Sequence, residues 1–184
     1  MLECEEKTII NKSKTICFKG KHNIDKMNSL DSIYIKGKRE TMENLLETDI
    51  KHYLQIEMIN KLYMDYDFKL KSLFESELNK KLNGYKSQDI KKNIYNETLL
   101  INLEETLEKL ISSKLRCIYC KCPVLILYKN VREPLQWSLD RIDNNKCHSN
   151  INTVISCLKC NLQRRVTNID KFMFTKHLKI NKCQ

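Results

Sequence analysis

Trp137-Ser138-Leu139-Asp140-Arg141-Ile142-Asp143-Asn144-Asn145-Lys146-Cys147-His148-Ser149-Asn150-Ile151-Asn152-Thr153-Val154-Ile155-Ser156-Cys157 is the stretch that decides the fold of this 184-residue chain. Residues 137–142 alternate as a strand does, Asn144-Asn145 opens a polar loop, and 152–156 is a second β-rich run. A hairpin is expected. The chain continues as Leu158-Lys159-Cys160-Asn161-Leu162-Gln163-Arg164-Arg165, and a helix is expected to open at the cysteine pair there.

Cysteines bracket this hairpin. Cys117-Ile118-Tyr119-Cys120 lies before it, and Cys157-Leu158-Lys159-Cys160 closes it. Each CxxC presents two thiolates across a tight knuckle, and two such pairs supply the four ligands of a tetrahedral Zn²⁺. A closed four-sulfur site leaves no position for water, so its zinc is structural and performs no catalysis. Cys122 competes with Cys120 for the second position, although the shorter spacing suits a knuckle less. The chain holds nine cysteines, an odd number, and its start lacks a signal-peptide plan, which argues against a secreted disulfide scaffold. A second site from Cys147, His148, His177 and Cys183 is conceivable, with free thiols the preferred reading.

Charge sharpens the division. Residues 1–115 carry 20 Lys+Arg against 19 Asp+Glu, whereas residues 116–184 carry 13 against 4. Almost the whole net charge of +10 therefore sits in the C-terminal third. A polyanion such as DNA or RNA suits such an imbalance, because each neutralised phosphate releases condensed counterions. A merely solvated basic surface is the plainer alternative.

Before the first cysteine pair the sequence is of another kind. Residues 1–39 show no sustained period and read as an irregular arm. Over 40–114 apolar residues recur at a helical period, with a break near Asp65-Tyr66-Asp67, a stop at Asn83-Gly84, an N-cap at Ser87 and a further helix through Ile90 to Ile111. Such a stripe is ordinarily core, and it also offers a surface for a protein partner. After the module, Thr167-Asn168-Ile169-Asp170 caps a last helix over 171–179, with Phe172, Met173 and Phe174 packing back. The fold class is α+β: a mainly helical N-terminal region followed by a small zinc-stapled module over 115–184. No apolar run is long enough to span a bilayer, so a soluble intracellular protein of cytoplasm, nucleus or virion is expected.

The set CxxC, LDRIDN, His-x-x-x-Asn and CxxCN, over about 115–165, resembles the HNH (ββα-metal) endonucleases with a four-cysteine zinc frame, in a variant common in phages and large DNA viruses. The resemblance implies a metal-dependent nuclease that hydrolyses DNA phosphodiester bonds to 3′-hydroxyl and 5′-phosphate ends. It implies that Asp140 and Asn161 bind one catalytic divalent cation, Mg²⁺ or Mn²⁺, and that Asn152 orients the loop. A hard cation takes such oxygen ligands and keeps waters and room for a phosphate. The departure lies after the aspartate, where the family has a histidine base and this chain has Arg141, which stays protonated. Asp143, expected on the same strand face as Arg141, and His148 in the loop are the candidate substitutes, or else Arg141 stabilises phosphorane charge. Arg141, Lys159, Arg164 and Arg165 are the candidates to contact nucleic acid. The competing expectation is a catalytically degenerate zinc protein that binds nucleic acid or serves as a virion component.

Overall fold

The computed structural model describes residues 20–21, 37–42, 51–176 and 178; the arm expected over 1–39 falls almost wholly outside them, as do His177 and Cys183 of the conceivable second metal site. Among the described residues three α-helices precede the hairpin: α1 (His52–Tyr63), α2 (Lys71–Lys91) and α3 (Leu103–Ser112). A short 3-10 turn, Glu40–Met42, comes before them. The architecture is α+β.

The break near Asp65 is real, because α1 ends at Tyr63 and Asp65 adopts a left-handed φ of 55°. The stop at Asn83-Gly84 is not. Helix α2 runs straight through both residues, and Ser87, expected as an N-cap, lies inside it with its hydroxyl donating to the Asn83 carbonyl at 2.9 Å. A single glycine costs an α-helix only about 1 kcal/mol, which Phe74, Leu78 and Tyr85 outweigh by burying one face. The next helix starts later than expected, at a capping box: Asn102 accepts from the Glu105 amide at 2.9 Å, and Glu105 accepts from the Asn102 amide at 3.0 Å.

Strands β1 (Trp137–Arg141) and β2 (Thr153–Cys157) form an antiparallel pair, with Trp137 opposite Cys157, Leu139 opposite Ile155 and Asp140 opposite Val154. Strand β1 stops one residue short of expectation, so Asp143 belongs to the loop and does not share a strand face with Arg141. The pleat puts Ser138 and Asp140 on one face and Trp137, Leu139 and Arg141 on the other. All five are buried, the first set toward α4 (Leu158–Arg164) and the second toward α2. The last helix, α5 (Ile169–Lys176), opens where Asn168 accepts from the Asp170 and Lys171 amides. Of its three aromatic and methionine residues Phe172 is buried, its ring edge-on to Tyr119 at 4.9 Å, whereas Phe174 is exposed.

One continuous core joins the helices to the hairpin. Ile59, Phe74, Leu78 and Leu110 belong to the same buried cluster as Trp137, Leu139, Ile155 and Cys157. Gln55 of α1 reinforces that junction from a fully buried position: its Oε1 accepts from the Ile126 and Leu127 amides at 2.7 and 3.0 Å, and its Nε2 donates to the Leu127 carbonyl at 3.0 Å. Three backbone groups in an irregular segment are thereby satisfied by one side chain. No helix among the described residues is long and apolar enough to cross a membrane.

Candidate metal centre and adjoining cleft

The four cysteines of the two CxxC pairs meet. The sulfurs of Cys117, Cys120, Cys157 and Cys160 all lie within 4.8 Å of one another, a cluster able to hold a metal ion such as Zn²⁺. Local backbone explains the convergence. The first knuckle is closed by the Lys121 amide donating to the Cys117 carbonyl and by the Cys117 amide donating to that of Cys122, with Lys121 at a left-handed φ of 59°. The Ile118 amide donates to Ile155, which fastens this knuckle to β2. In the second, Cys157 caps α4, its sulfur accepting from the Cys160 amide at 3.4 Å. Cys122 is exposed and outside the cluster.

Sulfur chemistry supports a cation here. With protons alone, hydrogen bonds from Cys157 and Cys160 drive the Cys117 thiol far down, while sharing a site with that thiolate pushes Cys157 up to about 12 and Cys160 higher still. One thiolate holding its neighbours' protons is the arrangement a soft divalent ion displaces, since metal binding and proton release are coupled.

Beside the staple a cleft of about 600 Å³ opens between α2 and α4. Lys80, Lys81, Gly84, Gln88 and Lys92 line it from the α2 side, Asn161, Leu162 and Arg165 from the other, and Asp140, Arg141 and His148 between. Asp140 is buried and heavily engaged. Arg164, itself only 1% exposed, donates from Nε to Oδ2 at 2.6 Å and from Nη2 to Oδ1 at 2.7 Å, and the Tyr119 hydroxyl donates to Oδ2 at 2.6 Å. The two lone pairs of Oδ2 are thus taken, while Oδ1 keeps one. Asn161 donates from Nδ2 to the Ser138 hydroxyl at 3.2 Å and to the Leu139 carbonyl at 3.4 Å, which identifies the nitrogen end and leaves its Oδ1 with no donor among the described residues.

The basic residues divide differently from expectation. Arg164 was expected to grip phosphates; instead its guanidinium is walled in, bonded to Asp140, to the Thr167 carbonyl at 2.7 Å and to that of Arg141. Arg141 is also buried, its guanidinium held by α2 and the loop, where Nη1 lies 3.5 Å from Asp89 Oδ1 and 3.3 Å from the Lys146 carbonyl. Arg165 is exposed on the cleft wall, and Lys159 is half-buried on α4 outside that wall. Asp143 is taken up by its own loop, its carboxylate accepting from the Asn145 amide at 3.0 Å. Asn152 laces the same loop: Oδ1 accepts from the Asp143 amide at 2.9 Å, and Nδ2 donates to the carbonyls of Asp143 and Cys147, each at 3.0 Å.

The residue that sequence reasoning missed is Asp89. Fully buried on α2, it accepts from the His148 backbone amide at 2.7 Å through Oδ2 and from the His148 ring Nδ1 at 2.7 Å through Oδ1. The His148 ring also packs on Tyr85, centroids 4.7 Å apart, and the Tyr85 hydroxyl accepts from the Leu139 amide at 2.9 Å. Burial lowers the His148 pKa below its ordinary value, against the upward pull of Asp89. The sequence carried a signal for the cleft face of α2, though none for Asp89 itself. Lys81, Gly84, Tyr85, Gln88 and Lys92 recur at helical spacing, and ending the helix at Gly84 cut that stripe in two. Lys81 lies over the rings of Tyr128 and Trp137 and donates to the Trp137 carbonyl, and burial pulls its ammonium down to about 7. Comparison with known proteins returns no matching family model, no matching curated relative and no matching solved structure.

Proposed function

We propose that this chain is a metal-dependent endonuclease of the HNH type that hydrolyses DNA phosphodiester bonds. The observation that carries the reading is that Asp140, whose Oδ1 keeps one lone pair, and Asn161, whose Oδ1 has no donor among the described residues, line one cleft whose walls bear Lys80, Lys92 and Arg165. One carboxylate oxygen and one amide oxygen suit Mg²⁺ or Mn²⁺, which keep most of their waters. When bound, such an ion supplies Lewis-acid polarisation of the scissile phosphate and charge stabilisation at the leaving 3′ oxygen.

The chain's own groups do the rest. Arg164 and Tyr119 hold the Asp140 carboxylate in one orientation. The amide contacts of Asn161 anchor its nitrogen to Ser138 and Leu139 and leave its oxygen the end available to a cation. Lys80, Lys92 and Arg165 neutralise phosphates on either side, and such contacts set position without reading sequence. The four-cysteine cluster, loaded with zinc, would tie the 117–120 knuckle to the end of β2 and the start of α4, the helix that carries Asn161. Products with 3′-hydroxyl and 5′-phosphate ends follow from the resemblance.

A second reading has one observation in its favour. Arg164 neutralises Asp140 and donates to each of its oxygens, which weakens any hold on a cation; the protein then binds nucleic acid, or assembles with it in a virion, without cutting. Plasmid nicking with Mg²⁺ or Mn²⁺ separates the two. The nuclease reading expects nicking by the native chain that Asn161→Ala and Asp140→Asn abolish; equal traces in all three, with DNA still retarded on a gel, select the binding protein.

A further inference from the structure

We infer that His148 is the general base of this site and that Asp89, from a helix outside the hairpin module, is its positioning residue. The inference rests on the nuclease reading and deepens it, because the residue following Asp140 is an arginine that cannot accept a proton. It starts from geometry. A carboxylate only accepts hydrogen bonds, so the 2.7 Å contact between Asp89 Oδ1 and the ring Nδ1 requires the proton on Nδ1. Nε2 is then the basic nitrogen. It has no hydrogen-bond partner among the described residues, and His148, although only 3% exposed, is among the residues lining the cleft that Asp140 and Asn161 line.

The clamp is rigid on every side. Asp89 Oδ2 fixes the His148 backbone, Tyr85 covers a ring face, and Asn152 holds the Cys147 carbonyl just before it. The charged and titratable groups facing the imidazole are Asp89 and Tyr85 of α2, Lys92 just past its end and Arg141 of β1. Asp89 favours the imidazolium, whereas Arg141, Lys92 and burial oppose it. The balance, led by burial, keeps the ring neutral at physiological pH, and Asp89 offsets part of the cost of its taking a proton.

The step balances. Water oxygen bonds to phosphorus while its proton passes to Nε2; the bond from phosphorus to the 3′ oxygen breaks, its electron pair stays on that oxygen, and solvent protonates it. The imidazolium then returns its proton to water. Asp89 exchanges no proton with substrate, and its part is to hold tautomer and orientation.

Two measurements on the full zinc-loaded chain test this. Nitrogen-detected NMR of the His148 ring is expected to show the Nδ1-protonated tautomer in the native chain and the Nε2-protonated one in Asp89→Asn; an Nε2-protonated native ring overturns the inference. In the nicking assay His148→Ala is expected to lose about 10²- to 10⁴-fold, the usual worth of a general base, with partial rescue by added imidazole. Asp89→Asn is expected to lose activity and to move the acid limb of the rate profile to lower pH, since the group that raises the His148 pKa is gone. A rate loss in Asp89→Asn with an unmoved acid limb makes Asp89 merely structural and overturns its part. Native-like nicking by His148→Ala sinks the base while the nuclease stands. A native chain that nicks nothing sinks the nuclease and the base with it.

Discussion

Arg164 grips Asp140 through two bonds of 2.6 and 2.7 Å, joining the last turn of α4 to β1 at a site where both side chains are at most 4% exposed. The pair converts two residues 24 apart in sequence into one rigid corner of the cleft. Removing one partner strands a buried charge, which costs about 3–5 kcal/mol. Arg164→Met is therefore expected to lower stability by that order in denaturant melts, and Asp140→Asn combined with Arg164→Met to recover much of it. Additive losses in the double variant count against the clasp.

The cysteine cluster predicts obligate metal. Structural zinc in small domains contributes about 10–16 kcal/mol of binding free energy near neutral pH, so Cys160→Ser is expected to unfold the hairpin and α4, and a strong chelator to do the same to the native chain. Native mass spectrometry is the check: one zinc per chain supports the site, and a mass equal to the bare polypeptide refutes it.

Gly84 separates folding from binding. Nothing lies within 4 Å of where its Cβ would stand, and the space there is the cleft. Gly84→Ala is expected to raise stability by up to about 1 kcal/mol. Gly84→Leu is expected to weaken DNA binding several-fold by filling the cleft, with the melting temperature held or raised. Unchanged binding in Gly84→Leu would place the nucleic acid elsewhere.

Lys81 gives stability a pH slope. Its folded pKa of about 7 lies below the usual 10.5, so from pH 7 to 10.5 the unfolded chain binds more protons and stability rises with pH. The contribution of Lys81 across that window is on the order of a few kcal/mol. Lys81→Met is expected to be more stable than the native chain at pH 7 and to lose that excess by pH 10.5, measured as the difference between two sets of denaturant melts. A difference that does not vary with pH rules out the buried, readily deprotonated amine.

The cysteine pairs, the hairpin and the start of α4 were legible because each rests on short-range chemistry: cysteines three positions apart, a period of two, a turn of asparagines. Asp89 was not legible as a site residue. It lies 59 residues before His148 in a helix whose apolar stripe looks like ordinary core, and a buried carboxylate acquires meaning only from the imidazole folded against it. Arg164 misled for the converse reason: a cationic residue at a helix end reads as solvent-facing until the carboxylate that captures it is known.

Local order along the chain was thus the sequence's own to determine: the alternation of Trp137 to Arg141, the two CxxC knuckles and the basic balance of the last third, all of which depend on neighbours within a few residues. Tertiary structure alone decided that α2 runs unbroken through Gly84, that Arg164 closes on Asp140, and that Asp89 holds His148. The first turns on apolar burial along α2, and the other two turn on buried charge. An ionised group leaves water only where a partner from a distant element compensates it, and the partner's position is a property of the fold, absent from any local stretch of residues.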